Sequence, residues 1–261
     1  MAIAPYGEGF GSVRRDGYYM KILALDTTEN TVSAAVCEEE MPLSYCTLSA
    51  TRTHSEMLLP MIESMLSGLH LRHEDIDLYA CSAGPGSFTG VRIGVATVKG
   101  LAFGRGKPCV GVSALEALAW NLAGFRGLIC PGMDARRGQL YQALFKGDGV
   151  SIRRMTEDRV VTADMLAREL AERTDDLPVY FCGGGYDLML EACAGNQAVS
   201  HTPPLLRREN ACSVARCAFL HYKENVSFAT DDRGLLPLYL RDSQAEREKK
   251  ARDAAFGEEK Q

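Results

Sequence analysis

No apolar run in the 261-residue chain approaches the roughly 20 residues that a membrane helix needs. Basic charge is not in excess either: 34 Asp and Glu against 29 Lys and Arg leave a net charge of −5 at pH 7. A protein that binds nucleic acid mainly by itself needs a basic face to neutralise phosphates, so the balance argues against that class, though not against a local basic patch. The nine cysteines are scattered with no C-x-x-C pair, and no signal-peptide core precedes them. An odd, dispersed set of thiols points to a reduced, cytoplasmic setting, with most of them buried as small hydrophobes. Histidines are few, and the Gly84-Pro-Gly-Ser87 turn lacks the flanking glycines of a nucleophile elbow. A hydrolytic, peptidase-type triad therefore has no support.

What is present is a soluble globular composition, 46% apolar and 24% charged. The length suggests one large or two smaller domains and allows roughly three quarters of the unfolded surface to be buried. The most distinctive stretch is Cys81-Ser-Ala-Gly-Pro-Gly-Ser-Phe-Thr-Gly-Val-Arg-Ile-Gly94 and the small-residue helix that it opens, to about Phe103. Gly84, Pro85 and Gly86 end a strand, and Ser87 or Thr89 can cap the helix. A glycine turn aimed at a helix N-terminus can hold a phosphate. Gly90 and Gly94, one turn apart on one face, equally invite close approach by another helix.

Residues 1–19 carry no apolar periodicity and read as a disordered extension, with Met20 as a candidate start. From Lys21 a strand ends in Asp26, turns at Thr27-Thr28-Glu29-Asn30, and returns through strands 31–37 and 43–48. A helix follows over 51–69, with caps at Thr53 or Ser55 and Pro60 expected near its start or at a kink. Leu58, Ile62, Met65, Leu66 and Leu69 make its apolar stripe, widened by Met57 and Met61. Strand 77–82, the glycine-opened helix, strand 107–112 and helix 114–122 complete a first unit. The pattern then restarts: strand 128–134 ends in Asp134, turns, and returns over 139–146. A helix at 163–173, a strand at 179–182 entering Gly183-Gly184-Gly185, a helix at 212–223 and a strand-like 236–241 follow. Residues 244–261 form a charged tail.

Two units that each open on an acid-ended strand hairpin resemble the architecture of actin, hexokinase and the heat-shock chaperone ATPases. The resemblance implies an α/β fold of two tandem actin-like (ribonuclease H-like) domains, each a mixed sheet with flanking helices. The expected domains are 20–124 and 125–241, between the extension and a tail at 242–261. In that superfamily the hairpins and a later Gly-Gly turn hold a nucleotide, so Asp26, Thr27, Thr28, Asp134, Gly183 and Gly184 become candidate nucleotide-binding residues. Two threonines after Asp26, where a glycine is usual, leave less room for a phosphate.

The Asp26-Thr27-Thr28 turn, Thr53-His-Ser-Glu-Met-Leu-Leu-Pro60, Gly84 to Gly94, Asp134-Ala-Arg136 and Pro237-Leu-Tyr-Leu-Arg241 occur in order. Together they resemble the B-subunit family of the bacterial tRNA threonylcarbamoyladenosine machinery, over about residues 20–241. The resemblance implies a non-catalytic paralogue of the catalytic D subunit, which places threonylcarbamoyl on the tRNA adenosine beside the anticodon. The D subunit's metal-binding histidines stand four residues apart on a helix; here His54 is followed by Leu58. It implies no cofactor of the chain's own, while the complex uses ATP and magnesium. The implied partners are the D subunit, an ATPase E subunit, a second copy of the chain when alone, and tRNA only through the complex. The implied interface is the helix pair bearing His54, Met57, Leu58, Met61, Gly90, Val91, Gly94 and Val98. An independent actin-like ATPase or phosphotransferase is the alternative, with peptidase activity a remote one.

Overall fold

The computed structural model describes residues 19–49, 54–173 and 175–241. The expected extension before Tyr19, the cap at Thr53 and the tail from residue 242 lie outside them.

The first sheet is built from β1 (Lys21–Asp26), β2 (Thr31–Glu38), β3 (Met41–Ser49), β4 (Leu78–Gly84) and β5 (Cys109–Ser113), in the order β3-β2-β1-β4-β5. β1, β2 and β3 form an antiparallel meander, and β4 and β5 add in parallel. Alternate residues of β1 enter different cores, as a two-sided strand must. Leu23 and Leu25 meet α1 (His54–Gly68) and α2 (Phe88–Ala102), while Ile22 and Ala24 face the opposite way. Pro60 lies inside α1 rather than in its first turn; it is exposed, so the carbonyl it leaves unbonded can meet water. Of the two cap candidates for α2, Ser87 acts: its Oγ accepts the Gly90 N–H at 3.3 Å.

After α3 (Ala114–Trp120) the same strand order recurs. β6 (Arg126–Arg136), β7 (Gln139–Gln142), β10 (Arg159–Thr162), β11 (Val179–Cys182) and β12 (Val199–Ser200) run β10-β7-β6-β11-β12. β8 (Phe145–Asp148) and β9 (Ile152–Arg154) attach beside β6. The expected strand 139–146 is thus two short strands on different partners, because β6 is long enough to pair with β7 at one end and β8 at the other. α4 (Ala163–Ala171) and α5 (Tyr186–Ala192) cover one face of this sheet and α3 the other. The molecule is therefore α/β, two repeats of one actin-like topology.

α6 (Ala211–Glu224) crosses back. Its Ala211, Val214, Ala215 and Ala218 pack on the free face of the first sheet, against Ile22, Ala24, Ala35 and Val110. The terminal stretch 236–241 is no strand. Pro237 has no N–H for a ladder, and the segment runs as a strap, with Leu238 N–H donating to Ala83 O at 2.7 Å.

Candidate functional site

A cleft of about 770 Å³ opens between the two repeats. Its floor is the turn after β1. Asp26 is 2% exposed and fully engaged by its own chain. Oδ1 accepts from Thr28 N–H at 2.9 Å and Thr28 Oγ1 at 2.7 Å, and Oδ2 accepts from Ser82 Oγ at 2.5 Å. Burial first, then the nearby charge of Glu209, pushes its carboxyl up to about 6, against those hydrogen bonds. Thr28 O accepts the Ser87 N–H at 2.7 Å and Thr27 Oγ1 donates to Gly90 O at 2.7 Å, so the turn is bonded to the start of α2.

This packing corrects the expected use of the α2 glycines. A Cβ at Gly90 would strike Thr27 O, and one at Gly94 would come within 2.7 Å of Thr27 Oγ1. Both glycines serve the chain's own β1–β2 turn, not a partner. Leu58, Met61, Val91 and Val98 are likewise buried in the first core, because their helices present these stripes to the sheet. His54 and Met57 are half-buried. The outward side of α2 is instead Thr89, Arg92, Ala96 and Gly100, followed by Phe103 at 70% exposure. Ser55, Glu56, Leu59, Pro60 and Glu63 make that of α1. Small residues do face outward, at Ala96 and Gly100.

Of the candidate nucleotide residues, Thr28, Asp134 and Gly184 line the cleft, together with His54 and Gly90. Asp26, Thr27 and Gly183 stand behind them. Asp134 is exposed and accepts the Arg136 N–H at 2.7 Å. Gly183 (φ +94°) donates to Arg207 O at 2.7 Å and leaves no room for a Cβ against Gly132 O. The Gly184 N–H is occupied as well. It donates at 2.7 Å to Glu29 Oε2, which reaches across from the first repeat.

Glu29 and Glu209 were not among the residues singled out from the sequence. Glu209 sits just before α6, 2% exposed, and its Oε2 accepts from Thr31 Oγ1 at 2.7 Å. Its Oε1 is buried with no N–H or O–H donor and lies against the Glu29 carboxyl. Two carboxylates bond only through a shared proton. Burial first, then the bond to Glu209 and its charge, holds Glu29 well above the ordinary carboxylate range, against the Gly184 N–H. A buried acid just ahead of the Asn210 cap of α6 was the available signal. The strap closes one side of the cleft. Tyr239 stacks on Phe88 with centroids 4.5 Å apart, Arg92 Nε donates to Tyr239 OH at 2.8 Å, and Arg241 donates to Ala135 O at 2.9 Å.

Comparison with known proteins follows this geometry. Residues 48–249 match the family model described as TsaD, tRNA N6-adenosine threonylcarbamoyltransferase. The tRNA threonylcarbamoyladenosine biosynthesis protein TsaB of Bacillus subtilis is 35% identical, covering 87% of this chain and 96% of its own length. The TsaB of Escherichia coli is 36% identical over 49% of this chain and 56% of its own. In three dimensions the chain is similar to YeaZ from Pseudomonas aeruginosa, with a TM-score of 0.69 and 24% identity, over 85% of this chain and all (100%) of that one.

Proposed function

Since the chain belongs to the TsaB family of tRNA threonylcarbamoyladenosine biosynthesis proteins, we propose that it serves tRNA modification as a non-catalytic scaffold that binds and activates the catalytic D subunit. The observation that carries this reading is the seat of Glu29. In an actin-like nucleotide enzyme the cleft between the repeats must admit phosphates. Here a carboxylate of the chain itself takes the Gly184 N–H, beside two further buried acids, Asp26 and Glu209. Negative charge fixed there opposes an incoming phosphate, which disfavours the reading as an independent ATPase. Ser87 Oγ is engaged as the α2 cap, which gives a peptidase reading no help. The turn of α1 that would present two ligating histidines offers His54 and the buried Leu58. Among the described residues no helix is long and apolar enough to cross a membrane, in keeping with work in the cytoplasm beside tRNA.

The scaffold reading uses the exposed side of α1 and α2. Leu59 (47% exposed) and Phe103 supply apolar contact, and Ala96 and Gly100 let another helix come close. The D subunit is the proposed occupant, a second copy of the chain replaces it when it is absent, and the ATPase E subunit joins the pair. The test is reconstitution of tRNA modification from the D and E subunits, ATP and magnesium, with and without this chain. Activity that depends on the chain and survives Asp134→Asn supports a scaffold. Ala96→Arg, at an open surface position, is expected to abolish co-elution with the D subunit while leaving the circular dichroism spectrum unchanged. Co-elution at full stoichiometry would refute this placement, and tight magnesium-nucleotide binding by the isolated chain in calorimetry would refute the non-catalytic reading.

A further inference from the structure

The thiols differ sharply in their surroundings. Cys37 on β2 is 1% exposed, and Cys212, the second residue of α6, is half-buried against the same apolar cluster. α6 is laid along β2 in a fixed register. Ala211 N–H donates to Ser33 Oγ at 3.0 Å at one end, and the Arg216 guanidinium lies 2.8 Å from the Glu40 carboxylate at the other. Between these anchors the two thiols share a hydrogen bond. Cys212 also occupies the first turn of a 14-residue helix, where N–H groups and the positive dipole end favour a thiolate. The hydrogen bond from Cys37, with help from its own backbone N–H, brings the Cys212 thiol below its ordinary value. Cys37 is pushed up by that same bond and by burial, and burial raises Cys81, Cys130, Cys182 and Cys217. A partly exposed thiol that favours the thiolate, with a second thiol held against it, is the arrangement of an attacking and a resolving cysteine.

We infer that Cys212 and Cys37 form a peroxide-responsive dithiol that closes to a disulfide between α6 and β2. The Cys212 thiolate attacks one oxygen of hydrogen peroxide, the O–O bond breaks, and hydroxide leaves a sulfenic acid on Cys212. The Cys37 thiol then loses its proton and its sulfur attacks the Cys212 sulfur, so that the S–S bond forms as the S–O bond breaks and water departs. Two thiols are oxidised and one peroxide is reduced to water. The bridge would staple α6 to the first sheet three residues beyond Glu209, fixing the loop that delivers this acid to the cleft.

The experiment uses the full chain, reduced, freed of reductant, treated with hydrogen peroxide, blocked with N-ethylmaleimide and digested with trypsin. The expected product joins the peptides 22–52 and 209–216, with fragment ions assigning the bond to Cys37 rather than Cys46. Dithiothreitol should release it, and Cys212→Ser should not form it. In Cys37→Ala, chosen because a small apolar side chain suits the buried site, Cys212 should stop at the sulfenic acid and be captured by dimedone. Cys212 still fully alkylated after peroxide, joined to another cysteine, or taken to sulfinic acid while Cys37 stays free would each overturn the inference.

Discussion

The Glu29 carboxylate accepts the Gly184 N–H at 2.7 Å and so ties the first hairpin of one repeat to the glycine turn of the other. The same carboxyl lies against Glu209, and the pair is comfortable only while a proton is shared. Glu29→Gln keeps an acceptor for Gly184 and gives Glu209 a permanent donor. At pH 8 the variant is expected to be more stable than the parent by about 1–2 kcal/mol, the worth of a hydrogen bond to a charged group. At pH 5, where the parent already holds the proton, the gain should shrink towards zero. Urea denaturation at the two pH values measures it, and an equal effect at both would contradict the shared proton.

Asp26 gives a separate pH signature. Its carboxyl rises from 3.8 to about 6 on folding, with burial the main cause. A raised folded value means that the stabilising contribution is complete below the unfolded pKa and is lost as pH rises through the folded one. The shift corresponds to about 3 kcal/mol. Relative to Asp26→Asn, the parent should therefore lose stability between about pH 4 and pH 6 and run parallel to the variant above that. Denaturant midpoints across this range decide it; a flat difference would mean that Asp26 is ionised throughout.

The duplicated opening was legible in the sequence because it is local: an apolar strand, an acid, a turn and a return strand each follow from adjacent residues. So was the Ser87 cap, whose signal lies within one helical turn. What sequence could not supply was direction. Gly90 and Gly94 share a face whatever the fold, but only the position of β1 decides that this face looks inward at Thr27. Glu209 escaped notice for a related reason. Its partner Thr31 is 178 residues away, and no periodicity links an acid in a loop to a carboxylate in the other repeat. The strap at 236–241 mimicked a strand by composition, yet Pro237 and the side-chain anchors Tyr239 and Arg241 hold it without a ladder.

The two kinds of helical glycine in α2 should respond in opposite ways. Gly90→Ala drives a methyl group into a backbone carbonyl that cannot rotate aside, and overpacking of this sort costs about 1–3 kcal/mol. Gly100 faces open space, and alanine there should stabilise the free chain by roughly 0.5–1 kcal/mol through helix propensity. Thermal or urea unfolding of the two variants side by side gives the comparison. A stabilised Gly90→Ala would mean that α2 is not seated on the β1–β2 turn.

The return of α6 to the first sheet has a consequence for how the protein is made. Ile22, Ala24, Ala35 and Val110 gain their cover only from residues beyond 210. A ribosome finishing the first repeat thus releases a sheet with one bare apolar face, which is aggregation-prone until the second repeat has passed. A fragment of residues 20–124 is accordingly expected to bind a hydrophobic dye strongly and to lose that signal when a peptide spanning 209–226 is added. The half of the molecule that is synthesised first is completed last.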